Sequence, residues 1–255
     1  TRNADRYWNS KVFQTVGTDK GIGRQVWDRI VNYNVDAFLN YDNTFLGTHN
    51  LTGTAGLQLQ SSTTNSATVE TENFPNDNFQ QIDSGADIVA AGGSETTYRF
   101  LAYFGRLNYN YDGRYFLKLS GRYEGSSRFG EQNRYGFFPA ASAGWVLTEE
   151  SFFPSGDILS RLKLRSSFGI TGNAAIGNFP SLGLWGASTY AGDSGMSPIQ
   201  IRNAGLQWEQ TQEVTLGLDY ELFGSRITGS VDVYHKTTQD LLLDLNVPAT
   251  TGFLN

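Results

Sequence analysis

The alternation of residue types predicts an all-β chain: a partial transmembrane antiparallel β-barrel, with tight turns along one edge and long loops along the other. Three observations carry that expectation. Large apolar residues, many of them aromatic, recur at every second position over arms of roughly a dozen residues, about twice the usual strand. The intervening positions hold Asn, Gln, Thr and Ser with isolated charges, which suits a wet lumen better than the Lys/Glu-rich skin of a soluble sheet. The connections between arms are short and long in alternation.

The first arm, 26–41, sets Val31, Tyr33, Val35, Ala37, Leu39 and Tyr41 against Asn32, Asn34, Asp36 and Asn40. "DNTFLGTH" joins it to 50–60, where Leu51, Leu57 and Leu59 oppose Thr52, Gln58 and Gln60. The Ser-, Thr-, Asn-, Asp- and Gly-rich stretch 61–97 reads as a long loop. A hairpin follows over 98–124. Its first arm alternates Tyr103, Leu107, Tyr109 and Tyr111 with Arg106, Asn108 and Asn110. Its second alternates Tyr115, Leu117, Leu119 and Tyr123 with Lys118, Ser120 and Arg122. The turn falls at Tyr111-Asp112-Gly113-Arg114, because Gly accepts the positive φ of a tight hairpin.

A medium loop, 125–136, leads to a strand near 137–147, and 148–160 has room for one helical turn. The strand 161–169 sets Leu162, Leu164 and Phe168 against Lys163, Arg165 and Ser167. A second long loop spans 170–210, and a last hairpin spans 211–238. With sequential antiparallel strands, the short connections share one edge and the long ones the other, as short periplasmic turns and long extracellular loops do in outer-membrane barrels. A tilted strand crosses a bilayer in about 9–11 residues, and these arms are long enough. A soluble β-sandwich also alternates. The alternative is therefore an extracellular β-rich adhesin or glycan-binding module, and the two differ in whether the odd-numbered rings face lipid or a dry protein core.

Composition narrows the function. The 255 residues are only 17% charged, with 29 Gly, 17 Phe, 13 Tyr and 5 Trp, an unusual balance for a soluble enzyme. No apolar run approaches the roughly 18 residues of a membrane helix, and no basic-then-apolar leader is visible from Thr1. Cysteine is absent, which removes disulfides, thiol catalysis and Cys-ligated metals. The formal net charge of -6, without a basic patch, argues against nucleic acid. His49 and His235 lack ligand-spaced partners, and no Gly-x-Ser-x-Gly elbow occurs. No enzyme and no cofactor are expected. Glu70, Glu72, Asp77, Asp83 and Asp87 are acidic enough for a calcium site in the long loop, but they lack the DxDxDG spacing, and solvated loop charge is the plainer account. Gly125-Ser126-Ser127-Arg128-Phe129-Gly130 lacks the Gly-Lys-Ser/Thr of a phosphate loop. It reads as a loop clamp, with Arg128 pairing to a carboxylate and Phe129 packing inward.

The most specific stretch is "YFGRLNYNYDGRYFLKLSGRYEGSSRFGEQNRYGFFPAASAGWVLTEESFF", 103–153. It resembles the SusC/RagA family of TonB-dependent outer-membrane transporters of Bacteroidota. The phrases that carry the likeness are Phe104-Gly105-Arg106-Leu107-Asn108-Tyr109, Gly125 through Gly130, Asn133-Arg134-Tyr135-Gly136, and Phe138-Pro139-Ala140 through Gly144-Trp145. Residues 162–183, 216–243 and 247–253 resemble later strands of the family. Residues 1–97 fit the pattern with weaker signatures, and Glu124 stands where the family commonly has Asp. The resemblance implies a barrel of about 22 strands, a plug inside it, a SusD-like surface lipoprotein over it, and surrounding outer-membrane lipid. It implies glycan or peptide cargo, with energy from TonB of the TonB-ExbB-ExbD complex. Residues 1–255 are then expected to be an interior fragment of the barrel domain, about eight to ten strands, without a visible plug or TonB-contacting segment. Arg106, Lys118, Arg122, Lys163 and Arg165 share the polar wall and are expected to face the lumen and pair with carboxylates. Trp185, Tyr190 and Trp208 in the long loops are the ligand-contact candidates, because ring faces stack on sugars or peptide side chains. Packing the loops together is their plainer role.

Overall fold

The computed structural model describes residues 2–9, 21–76, 78–154, 158–244, 248–251 and 253. Among these, the strands are β1 (Arg2–Asn9), β2 (Ile22–Phe45), β3 (His49–Glu72), β4 (Asp87–Tyr111), β5 (Tyr115–Ser126), β6 (Tyr135–Val146), β7 (Leu159–Asn173), β8 (Leu184–Tyr190), β9 (Asp193–Gln200), β10 (Glu209–Leu222) and β11 (Ile227–Gln239). Nine of them form one sheet in the order β1-β2-β3-β4-β5-β6-β7-β10-β11, and β8 and β9 form a separate two-stranded sheet. The all-antiparallel architecture is that of a partial barrel, built almost wholly of sequential neighbours.

Two compact units divide the chain, one holding the residues up to Asn34 with Gln60–Arg99, the other Val35–Leu59 with everything from Phe100 onward. In the first unit β1 pairs with the start of β2, from Arg2↔Arg29 to Asn9↔Ile22. This strand was not anticipated. The stretch 61–97, expected as loop, is mostly strand: β3 runs on to Glu72 and β4 begins at Asp87, each strand being about two dozen residues long, 24 and 25. Only 73–86 connects them, through a 3₁₀ turn at Ile82–Ser84. The reason is chemical. Thr and Val favour extended backbone whether or not they are buried, and here polar side chains meet across the strands. Thr63 and Thr97 hydroxyls lie 3.0 Å apart, and Asn73 Nδ2 donates to Asp87 Oδ2 at 3.3 Å. The outer half of β3 is mostly polar on both faces, and that of β4 opens on Ile88-Val89-Ala90-Ala91, apolar on both, so no period-two signal marks the strands. Phe74, 1% exposed, and Thr71, whose hydroxyl donates to Ile82 O at 3.0 Å, tie down the connection.

In the second unit the expected hairpin is present. β4 and β5 pair from Phe100↔Ser126 to Tyr111↔Tyr115. Asp112 and Gly113 both have positive φ, 51° and 68°, as a two-residue turn matching strand twist requires. The long loop expected over 170–210 is shorter, because β7 extends to Asn173 and the β8–β9 hairpin turns within it at Ala191-Gly192. The helical turn expected in 148–160 is a 3₁₀ turn at Leu147–Glu149.

The short-connection edge carries a row of rings. Tyr111 stacks on Tyr115 at 6.0 Å, Tyr115 on Trp145 at 6.3 Å, and Phe152 meets Trp145 edge-on at 6.2 Å. A second row, Tyr123 stacked on Tyr135 at 5.1 Å, lies toward the other edge. From Tyr115 to Tyr123 is about 27 Å of strand. At the usual tilt that spans roughly 20 Å of membrane normal, close to the ~25 Å apolar band between aromatic girdles. The first row is fastened by Glu150, in the connection after β6. One of its carboxylate oxygens accepts from the Tyr115 hydroxyl and from Trp145 Nε1 at 2.9 Å. The Tyr115 hydrogen bond, then that of Trp145, holds the Glu150 carboxyl below its ordinary range. A depressed carboxylate contributes stability above its unfolded pKa, near 4.3, and loses it as pH falls through the lower folded value. The protection of the 147–153 amides, their exchange rate relative to the unstructured rate at each pH, is therefore expected to stay constant from about pH 8 to 5 and to fall only below about 4. Glu150→Gln should abolish that acid limb, and an unchanged acid limb in the variant would remove Glu150 from this role.

Candidate functional site

Backbone register sorts the second unit's side chains onto two faces. Tyr103↔Tyr123↔Phe137, Leu107↔Leu119↔Ala141 and Leu117↔Ala143 stand side by side on one face. Phe168↔Val214, Ser166↔Leu216↔Val233 and Leu164↔Leu218↔Val231 continue it. Most of the larger ones are solvent-exposed, Leu119 at 43% and Leu216 at 61%. A contiguous apolar face of this extent needs a nonaqueous neighbour.

The other face is polar, and Arg106, Lys118, Arg122, Lys163 and Arg165 all lie on it. Arg165 on β7 sits opposite Gly217 on β10, and Gly217 opposite Asp232 on β11. The missing side chain at Gly217 leaves a gap through which the guanidinium spans three strands. It donates to Asp219 through Nε and Nη2, both at 2.8 Å, and to Asp232 at 3.0 Å. Arg122 forms a fork to Glu124, at 2.6 and 2.9 Å, and donates to Gln58 at 2.7 Å. Lys163 instead lies over the Phe116 ring, 4.2 Å from its centroid. Arg106 and Lys118 have no ion-pair partner among the described residues. They share an open hollow of about 370 Å³ with Glu213. A neighbouring groove of about 490 Å³ runs past Lys118, Lys163 and Arg165, with Asn, Ser and Thr side chains beside the rings of Tyr109 and Phe116. This wall can hold a polar, hydrogen-bonding guest or an acidic one.

A Cβ at Gly217 would press on the Asp232 carboxylate and come within 2.9 Å of the Arg165 guanidinium. Gly217→Val is expected to break the three-strand bridge and to cost about 1–3 kcal/mol, the usual range for overpacking. Thermal unfolding of the folded barrel checks it, and a variant melting at the wild-type temperature would contradict the gap's role.

At the long-connection edge the structure has a small core. Phe129, Phe138, Ala174 and Trp208 are buried together, with Phe100, Ile170 and Leu206 against them. Phe129 packs inward, 1% exposed and 4.9 Å from Trp208. Arg128 donates to Ala174 O at 2.7 Å and to Asn178 Oδ1 at 3.2 Å, with its guanidinium over Phe100. Asn133 Nδ2 donates to Gly205 O at 3.1 Å. The 127–134 connection is therefore fastened to the 174–208 connection. Phe138 fits because Gly136 and Gly172, which its ring covers, have no side chains.

Trp208 is 5% exposed in this cluster, with Nε1 donating to Arg134 O at 3.1 Å, so its surroundings are those of a loop-packing residue. Trp185 and Tyr190 lie apart from it on β8, 65% and 86% exposed. The structure does not bring the three rings together. Asp77 lies outside the described residues, and among those described no three or more acids or histidines gather as a metal would need. Asp219, Asp232, Gly217 and Glu150 escaped the sequence reading as partners. Only strand register could have joined the first three, and Glu150 reaches its rings from the connection after β6.

The whole chain, residues 1–255, matches the family model described as "TonB dependent receptor-like, beta-barrel". It is 36% identical over 259 residues to TonB-dependent receptor P39 of Formosa agariphila, covering 98% of this chain and 25% of that protein. It is 38% identical over 185 residues to TonB-dependent receptor SusC of Bacteroides thetaiotaomicron, covering 69% of this chain and 18% of that protein. Among solved structures, "Structure of the RagAB peptide transporter" superposes with a TM-score of 0.89 at 26% identity, over 99% of this chain and 28% of that one. The "open-open" state of the RagAB peptide importer gives 0.84. The chain spans at most about a quarter of the curated relatives' length.

Proposed function

We propose, because this chain belongs to the SusC/RagA-type TonB-dependent receptors, outer-membrane β-barrels of Bacteroidota, that it forms a wall section of a transporter importing bulky nutrients. The cargo is a glycan, an oligosaccharide or an oligopeptide, taken up intact with a SusD-like lipoprotein on the outer face. TonB supplies the energy from the inner-membrane gradient. Residues 1–255 are the barrel part, and a full barrel of about 22 strands closes through further strands beside β1 and β11.

The observation that carries this reading is the two-faced sheet: a bilayer-high apolar face between two rows of rings, backed by a polar wall. In a barrel, lipid covers the first and the lumen the second. The non-catalytic character of the family agrees with the absence of cysteine and of any paired catalytic motif. Arg106 and Lys118 are then lumen cations available to an acidic group elsewhere in the parent protein or on the cargo. Unpaired charge in an enclosed lumen is costly.

The test is uptake of oligosaccharides and oligopeptides by intact cells, with and without the proton gradient. Loss of uptake on collapse of the gradient, with cargo recovered unmodified, is the expected result. Gradient-independent entry overturns active transport. Trp185, exposed on β8, is the first cargo-contact candidate. Trp185→Ala should weaken cargo binding by about 1–3 kcal/mol if its ring stacks on the cargo, the range of an aromatic contact anchor. Wild-type affinity in that variant removes it.

A further inference from the structure

We propose that the edge of β4 from Asp87 to Glu95 receives an extended segment of a partner polypeptide as an added strand. β4 lies between β3 and β5 in the sheet, but its ladder with β5 stops at Phe100↔Ser126. Over Asp87–Glu95 β4 has no ladder with β5. The nine consecutive residues 87–95 are all exposed. Further barrel strands cannot fill that edge. They add beside β1 and β11, the ends of the sheet order, whereas both sheet neighbours of β4 are already present.

Natural sheets blunt such edges with lysine, proline, bulges or short strands. This segment, "DIVAAGGSE", has neither lysine nor proline, and the strand that carries it is 25 residues long. Its centre is bare: a side chain added at Gly92 would meet nothing within 4 Å, and at Gly93 only Ser66 O, at 3.4 Å. Unsatisfied backbone N–H and C=O groups supply the affinity for an added strand, and alternate side chains supply the selectivity. Ile88 and Val89, 71% and 48% exposed, offer one apolar contact on each face. Charge fixes the ends. Asp87 and Glu95 bracket the segment, and residues 87–98 contain no Lys or Arg. Asp87 is bonded only to the neutral Asn73 amide, and Glu95 to no charged group among the described residues. The fitting partner is therefore an uncharged β-forming run of about nine residues, roughly 30 Å long, with a lysine or arginine at each end.

The experiment uses the full-length parent protein in detergent micelles and labelled ten-residue peptides of alternating Val and Thr. One peptide carries Lys at both ends, one carries Glu at both ends, and one is the Lys-ended peptide with alternate amides N-methylated along one edge. Fluorescence anisotropy reads binding, and hydrogen exchange reads the amides of 88–94. The expected result is that the Lys-ended peptide binds and slows alternate amides of 88–94 at least tenfold. The N-methylated twin should bind at least tenfold more weakly, and Glu95→Lys should lower the preference for Lys ends over Glu ends. Equal binding of the N-methylated twin overturns the proposal, as does unchanged exchange at 88–94. Protection that appears without peptide and rises with protein concentration assigns the edge to a second copy of the chain and overturns it equally.

Discussion

Leu119→Arg is expected to remove about 2–4 kcal/mol from the folded barrel, the cost of a cation at the bilayer midplane. Leu119 lies midway along β5 between the rings of Tyr115 and Tyr123, flanked by Leu107 and Ala141. A guanidinium there has no lumen to reach and must drag water or headgroups inward. Ser120→Arg, one residue along, puts the same charge on the polar face beside Arg106. That variant should fold nearly as well as wild type. Heat-resistant folded protein in outer-membrane preparations measures both. Equal loss in the two variants, or loss only in Ser120→Arg, would contradict the assignment of faces.

Trp208→Ala is expected to cost about 3–5 kcal/mol, the range for deleting a buried aromatic. The loss should be local. Trp208 is the ring around which Phe129, Phe138 and Phe100 gather, and its N–H holds Arg134 O. Without it the 127–134 and 174–208 connections should come apart, while the ladders of β5 and β6 persist. Hydrogen exchange should rise in both connections and stay unchanged over 115–123 and 137–146. Trp208→Phe, keeping the ring and losing the donor, should cost about 1 kcal/mol. Uniform acceleration across the sheet would show that the cluster is not a separate fastening.

These two residues also mark where sequence pattern suffices and where it fails. Leu119 belongs to an arm with one apolar face, and a one-faced strand writes its period of two into the sequence. The hairpin of β4 and β5 and its Asp112-Gly113 turn were legible for that reason. The outer halves of β3 and β4 were not, because neither has one apolar face: Thr63, Thr97 and their neighbours meet through hydroxyls, and Ile88-Val89-Ala90-Ala91 puts apolar residues on both faces. The β8–β9 hairpin turns on Ala191-Gly192, and its strands mix Trp185 and Met196 with Gly186, Ser188 and Gly195, so neither alternation nor a strong turn pair announced it. Arg165, Asp219 and Asp232 could be placed on one face by parity alone. That they form one cluster depends on register and on the empty Cβ position of Gly217, which no single strand contains. Trp208 carried no mark distinguishing it from the exposed Trp185. Its burial follows from the fit of Phe138 over Gly136 and Gly172, which lie on β6 and β7.

The central claim is that one face of this sheet meets lipid and the other a watery lumen. Single cysteines at each position from Phe116 to Tyr123, spin-labelled in the full-length parent freed of any other cysteine and reconstituted in lipid, test it most directly. Accessibility to oxygen should peak at Leu117, Leu119, Gly121 and Tyr123. Accessibility to a water-soluble nickel chelate should peak at Phe116, Lys118, Ser120 and Arg122. A profile without that period of two, or with its phases exchanged, would contradict the account.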